Sequence, residues 1–457
     1  MKCKHCGSQL KAAGEKLICP KCGAKYRKRV QPAPEPKKKK KNAPLIAAGV
    51  AALVIAAVLL VLLTRGGSDG IFAPKPTPTP VPTEAPTEAP TAVPTAAPTP
   101  SPTPEPTEEP IEAASVHIRA VGDLMSHKLQ LTHAKQSDGT YSYDSQYEMA
   151  ADSLRDADFT IGNLECSLTT GTEVSSFPHF VTPAALLDTL KDCGFDLVTV
   201  ANNHILDGYY DGFMTTLDLL EGSGLGFVGA GRTKEEYNSV CIRDINGIRF
   251  GFIAYTEHTN DVEKNSKSKD AKKLVHYLSK ADFKEDVQAL RDAGAEVVVC
   301  LPHWGSENKQ KVTKEQKRYA EKMMDAGVDI ILGSHPHVVQ PIELVEHEMP
   351  DGTVKQVLIA WSLGNFISYM ANEGVDCGII ADFTVERDTS GNISITDVGY
   401  VPVYVWGTKT YFHVLPSGEY YDDQPEGMTD KIFERMRESY DETVEFLGTE
   451  ELEVLPK

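Results

Sequence analysis

An α/β fold is predicted for the larger part of this 457-residue chain, preceded by a small zinc ribbon, one transmembrane helix and a Pro-rich disordered stalk. Three observations carry that reading. From residue 116 to 337, β-rich runs alternate with helical patterns, the order of a sheet with helices on its faces. Residues 45–63 (LIAAGVAALVIAAVLLVLL) contain no charged or strongly polar side chain. Four cysteines stand as two C-x2-C knuckles within the first 22 residues.

The knuckles are Cys3/Cys6 and Cys19/Cys22, spaced C-x2-C-x12-C-x2-C. Each can place two thiolates on one ion, and two knuckles complete a tetrahedral four-thiolate zinc site. A unit of residues 1–28 is too small to bury a core, so the metal would supply its folding energy. A basic linker, 29–43, carries Lys37 to Lys41. The apolar run follows within a span of 44–64. Its 19 residues cover roughly 28 Å as a helix, close to the ~30 Å hydrocarbon core. The run is too long for a signal-peptide core, and no clear small-residue cleavage site follows it closely. Lysines before it and Arg65 alone after it place the N-terminus in the cytoplasm and the rest outside, as a single-pass protein of the cell membrane.

Residues 65–114 form the stalk. Within 74–110 stand 14 of the 29 prolines, with Thr, Ala and Glu between them. Such a segment favours polyproline II and reaches roughly 115 Å when extended. Charge is segregated as well. Residues 1–65 hold 15 of the 46 Lys and Arg against Glu15 and Glu35 alone, leaving 31 basic and 63 acidic residues beyond. So acidic a remainder disfavours nucleic acid as a partner, because phosphates are bound by Lys and Arg. The five remaining cysteines (166, 193, 241, 300, 377) are scattered and read as buried free thiols.

Strands are expected at 116–121, 159–161, 197–200, 250–255, 297–301 and 330–332. Helices are expected at 184–193, 209–220, 283–293 and 313–326. After His337 the runs 338–345, 354–361, 377–385 and 393–405 read as an antiparallel half, and 406–457 as an acidic extension with one helix near 430–446. Ligands of open α/β sheets gather at the carboxyl ends of strands, and here those ends carry Asp123; Asn163 and Glu165; Asn202, Asn203, His204 and Asp207; His303; His335 and His337; and Asn365. Mixed carboxylate, amide and imidazole donors suit Zn, Mn or Fe rather than Ca. One or two divalent metals are therefore expected, and two could clamp a phosphoryl group. His335 and His337 stand two apart after a strand, so an extended segment would aim both to one side.

Val-Gly-Asp123-Leu-Met, Gly-Asn163-Leu-Glu165, Ala-Asn202-Asn203-His204-x-x-Asp207, His303-Trp-Gly, Gly-Ser-His335-Pro-His337 and Ser-Leu-Gly-Asn365-Phe resemble, in order, the CapA family of capsule-synthesis proteins. That family is associated with poly-γ-glutamate and is similar to calcineurin-type metallophosphoesterases. The resemblance, over residues 115–405, implies a four-layer α/β/β/α sandwich with a two-metal site at one edge. It implies Asp123, Glu165, Asn203, His303, His335 and His337 as metal ligands. It also implies a catalytic pair, His204 with Asp207, in which His204 acts as acid toward the leaving group. His127, Asn163, Asn202, Trp304 and Asn365 are expected near the ligands or substrate. Two departures stand out: Met125 occupies the His position of an Asp-x-His pattern, and Glu165 replaces a bridging Asp. The function expected is a membrane-anchored, extracellular protein of capsule or poly-γ-glutamate biosynthesis. Its two-metal, phosphoesterase-like hydrolase site would act on a phosphoester or another wall-associated polymer linkage. The alternative is a non-catalytic component that binds or guides the polymer beside its synthesis machinery.

Overall fold

A computed structural model of the chain describes residues 11–13, 16–18, 25–27, 111–260, 266–370, 372, 374–448 and 452–455. The zinc-ribbon cysteines, the apolar run 45–63 and the stalk up to residue 110 lie outside the described residues. Near the N-terminus, β1 (Lys11–Ala13), β2 (Lys16–Ile18) and β3 (Lys25–Arg27) form an antiparallel sheet of their own. Among the described residues no helix is long and apolar enough to cross a membrane.

The remainder of the described chain is built on two large sheets. The first comprises β4 (Ala114–Leu124), β5 (Phe159–Leu164), β8 (Phe195–Thr199), β9 (Gly226–Val228), β16 (Asn365–Ile367), β17 (Cys377–Arg387), β18 (Ile393–Gly407), β19 (Phe412–Pro416) and β20 (Glu453–Val454). Its main order is β19-β18-β17-β4-β5-β8-β9, with β16 on β4 and β20 on β18. The second sheet runs in the order β10 (Cys241–Ile245), β11 (Ile248–Thr256), β12 (Val297–His303), β13 (Ile330–Leu332), β15 (Val354–Ala360), β14 (Ile342–Glu348). A short parallel pair, β6 (Ser167–Thr169) with β7 (Val181–Pro183), lies apart.

The central strands are parallel, β4 to β5 to β8 and β11 to β12 to β13. They read as unbroken apolar runs, as in Val-Val-Val-Cys-Leu of β12, because both faces are covered. Between the sheets lies one core, including Ile118, Ala120, Phe250, Phe252, Val299 and Phe383. A second core joins the first sheet to the helices Ala185–Asp192 and Tyr209–Ser223, through Leu187, Leu190, Phe213 and Leu217. A third joins the other sheet to Phe283–Asp292 and Lys314–Ala326, through Val287, Leu290, Ala320 and Met323. The layers are therefore α/β/β/α. Each of the latter helices starts at a side-chain cap, Asp282 accepting from Glu285 N and Thr313 from Gln316 N, which satisfies an otherwise unpaired donor. Helix Lys314–Ala326 stops at Gly327, left-handed with φ 99°, a conformation that costs glycine little.

The strands after His337 do not form a half of their own. β14 and β15 complete the second sheet, β15 running parallel to β13, whereas β16 to β19 join the first. The apolar Val357–Ala360 stretch is buried, so it pairs where both of its faces are covered rather than in a separate meander. The five cysteines beyond the stalk are free thiols, with Cys241 half-buried and the others buried.

Candidate metal centre

Six strand boundaries from both sheets deliver side chains to one edge of the sandwich. At the end of β4, Gly122 is demanded by space: an added Cβ would lie 1.9 Å from the Gly364 carbonyl oxygen. That oxygen accepts from Asp123 N at 3.0 Å, which fixes Asp123 beside β16. β5 ends at Leu164, directly before Glu165. β8 feeds the turn holding Asn202, Asn203 and His204, and β12 ends on His303 itself.

Ligand atoms of Glu165, His303 and His335 lie within 4.8 Å of one another, as do those of Asp123, Glu165 and His337. Glu165 is thus shared by two clusters. Asn203 Oδ1 stands 3.0 Å from His303 Nε2, which places the amide with the first cluster. The residues fit metal on physical grounds. Glu165 Oε1 and His335 Nδ1 are buried without a hydrogen-bond partner, and Asp123 Oδ2 lies 2.9 Å from His337 Nδ1 yet accepts no hydrogen bond. Buried polar atoms without partners are costly, and lone pairs converging from carboxylate and imidazole are what a divalent cation requires.

Neighbours set the orientation of these donors. His303 Nδ1 pairs with Ser334 Oγ at 3.0 Å, leaving Nε2 toward Glu165 Oε1 at 3.6 Å. His337 Nδ1 pairs with Asn365 Oδ1 at 3.0 Å, leaving Nε2 4.0 Å from the same oxygen. Asn163 donates to Asp123 Oδ1 at 2.8 Å, and Asn202 donates to the Leu164 carbonyl and accepts from His204 N. Such outer partners fix ring orientation and tautomer. Burial and the Asp123 charge push the Glu165 carboxyl well above the usual range. Burial alone would raise Asp123, but His337 and Asn163 outweigh it and hold the carboxyl low. Burial and the neighbouring imidazoles drive His303 well below its ordinary value, and burial, then His337, lowers His335 to about 3.

His204 Nδ1 lies 2.6 Å from Asp207 Oδ2, and its Nε2 is 3.9 Å from Glu165 Oε1. Asp207 is buried and also accepts from Phe180 N. One nitrogen of the ring is therefore tethered while the other faces the cluster.

Two expectations are corrected. His335 and His337 are not in an extended segment: their φ values are 96° and 58°. A left-handed turn, rather than strand alternation, brings the rings to 6.0 Å. The Trp304 ring is not open to a substrate; it is fully buried, stacked on Trp361 and donating its indole N–H to the Trp361 carbonyl. His127 is outside the ligand clusters but near them, its ring edge-on to Phe180, whose ring is in turn edge-on to His204. Met125 is buried and supplies no nitrogen or oxygen in its side chain. Sequence reasoning missed Glu307, whose carboxylate forms a third group with His335 and His337. It also missed Ser334, and His258 and Asn260, which contact His335 and His204.

Two consequences are measurable. The His335 backbone at φ 96° suits glycine, so chelated His335→Gly should be more stable than His335→Ala by about 1 kcal/mol in denaturant melts. Equal stability would mean that the turn carries no strain. Burial lowers His127 to about 4. Below pH 6.5 the unfolded chain takes up a proton there that the folded chain does not, so stability falls as pH drops toward 4. In chelated protein, His127→Phe should remove roughly 2–3 kcal/mol of that loss at pH 4. An unchanged acid limb would show that His127 titrates normally.

The fold and the donor set define a class: an α/β sandwich with a candidate site for divalent metal at one edge. The chain belongs to the bacterial capsule synthesis protein family PGA_cap, which matches residues 117–370, so the family resemblance of the motifs holds. It is 27% identical over 258 residues to the capsule biosynthesis protein CapA of Bacillus anthracis, covering 54% of this chain and 58% of that one. Over 286 residues it is 27% identical to the PGA biosynthesis protein CapA of Bacillus subtilis, covering 61% and 70%. The chain thus spans little more than half the length of the first relative. Among solved structures, the NAD nucleotidase of Haemophilus influenzae aligns with TM-score 0.39 at 14% identity, over 76% of this chain and 65% of that one. The calcineurin-like phosphoesterase YfkN of Bacillus subtilis aligns with TM-score 0.38 at 12% identity, over 73% and 99%.

Proposed function

We propose that the chain is a membrane-anchored protein of capsule or poly-γ-glutamate biosynthesis whose α/β domain, held outside the cell, is a two-metal hydrolase of phosphoesterase type. The observation that carries the hydrolase reading is Glu165, buried and shared by two ligand clusters, with the His204–Asp207 pair facing it across 3.9 Å. Asp123, Glu165 and His337 would hold one divalent ion; Glu165, Asn203, His303 and His335 would hold a second. A bound pair supplies Lewis-acid polarisation and a nucleophile at neutral pH. Asp207 holds the His204 ring so that Nε2 can pass a proton to the leaving oxygen. Burial of the ligands keeps bulk water from competing for their lone pairs.

The anchor rests on the apolar run 45–63 and the lysines before it, and the zinc ribbon on Cys3, Cys6, Cys19 and Cys22. Protease on wall-stripped cells should remove the α/β domain and spare the ribbon. A mature protein beginning after Arg65 would defeat that topology. The hydrolase reading is tested by metal analysis of the full-length chain together with a panel of phosphomonoesters and phosphodiesters. Bound metal without turnover of any of them would favour the second reading, a component that binds or guides the polymer. The His204–Asp207 pair weighs against that alternative, because holding a ligand does not require a tethered imidazole beside the metals.

A further inference from the structure

The two buried ligand clusters share Glu165, but the third group of converging donors does not contain it. Glu307 stands there with His335 and His337, their ligand atoms within 4.8 Å of one another. Two features set this carboxylate apart. Glu307 is exposed, whereas Asp123, Glu165, His303, His335 and His337 are all buried. It also meets one histidine from each proposed ion, His337 from the first and His335 from the second. The loop that carries it is braced against the ligand turn. Trp304 N donates to the Ser334 carbonyl at 3.0 Å, and Asn308 N donates to the Pro336 carbonyl at 2.8 Å. Residues 304–308 are thereby tied at both ends to the segment bearing the two histidines. Gly305 N adds a third tie, donating to Glu257 Oε2 at 3.1 Å. Gly305 and Asn308 take φ values of 94° and 58°, left-handed conformations that glycine and asparagine adopt more readily than other residues. Glu307 is therefore held close to the imidazoles while remaining open to solvent, and one carboxylate with two imidazoles is a donor set that Zn, Mn or Fe accepts.

We propose that Glu307 is a displaceable metal ligand, which occupies the solvent side of the loaded centre at rest and yields that place to a phosphate group of the substrate. The assignment rests on the proposed function for the ions themselves, but its test does not require turnover. The full-length chain, stripped by chelation, is titrated with Mn²⁺ in a calorimeter, and the loaded protein is then titrated with inorganic phosphate. Glu307→Gln removes the charge from an exposed position and leaves the buried clusters intact. The variant should bind Mn²⁺ roughly tenfold more weakly, a loss at the low end of what supporting groups of metal sites contribute. That loss should persist at about 0.5 M KCl, where an attraction acting only through solvent is screened. With Mn²⁺ saturating, phosphate should bind the variant roughly tenfold more tightly than the native chain. The native chain must first release a ligand, and apparent affinity falls by the fraction of molecules that are open. Native Mn²⁺ affinity in the variant would overturn the proposal, as would a loss that disappears in salt, because either makes Glu307 a distant charge. Weaker Mn²⁺ binding with unchanged phosphate affinity would make it a permanent ligand and overturn displacement. The expected pair of shifts without turnover of any substrate would refute the hydrolase alone. Turnover with both affinities unchanged by the substitution would refute the role of Glu307 alone.

Discussion

Glu165→Gln is expected to abolish hydrolysis and to remove most of the metal from the α/β domain. The carboxylate belongs to two ligand clusters and its Oε1 has no hydrogen-bond partner in the protein, so its loss removes a donor from both positions at once. An amide keeps the shape but offers a single neutral oxygen, which binds a divalent ion weakly compared with a carboxylate. The substitution also acts on the protein without metal. Glu165 is fully buried beside Asp123, and burial together with that neighbour's charge raises its carboxyl well above the usual range. Above the unfolded pKa this group therefore costs the metal-free fold stability, and the amide removes the cost. Chelated Glu165→Gln should melt above the chelated native chain at pH 8. Adding metal should reverse the order, because the native chain gains about 4 kcal/mol at a metal concentration of ~1,000 Kd and the variant gains little. Emission spectrometry for metal content and paired melts check both halves. A variant with native metal content and native turnover would place Glu165 outside the ligand set.

Much of the site was legible because the strands end in polar residues. Val-Val-Val-Cys-Leu running into Pro-His303 marks a buried parallel strand and the ligand at its carboxyl end, and β4, β5 and β8 repeat the pattern with Asp123, Glu165 and Asn203. The strands themselves run past the apolar stretch: β4 continues to Leu124 and β12 to His303, since backbone pairing persists where side chains turn polar. Other features left no local signal. Glu307 lies in a loop four residues after His303, and its place beside His335 and His337 follows from how that loop folds back. The positive φ of His335 and His337 is uncommon for residues with a Cβ, so spacing suggested a strand instead. Trp304, next to a ligand in sequence, looked like a substrate contact, but the ring turns into the helix-facing core. The partner of residues 357–360 is a tertiary choice; an apolar run of four is equally compatible with parallel and antiparallel neighbours.

His204→Ala should separate proton donation from metal binding. His204 is absent from the ligand clusters, and its Nδ1 is committed to Asp207 at 2.6 Å. Metal content is therefore expected to stay at the native level, in contrast to Glu165→Gln. Turnover should drop by roughly 10²–10⁴-fold, the range that general acid–base catalysis supplies, on substrates whose leaving oxygen needs a proton, such as alkyl phosphodiesters. With p-nitrophenolate, which departs readily as an anion, the loss should shrink to within about tenfold, because little protonation is required in that transition state. Asp207→Asn should follow the same leaving-group pattern with a smaller loss: the amide can still contact the ring but lacks the charge that balances an imidazolium. This gradient across leaving groups is the decisive readout, since a collapsed site would slow every substrate alike. Loss of metal in His204→Ala would make His204 a ligand. A uniform loss with metal retained would assign it to binding the substrate rather than to protonating it.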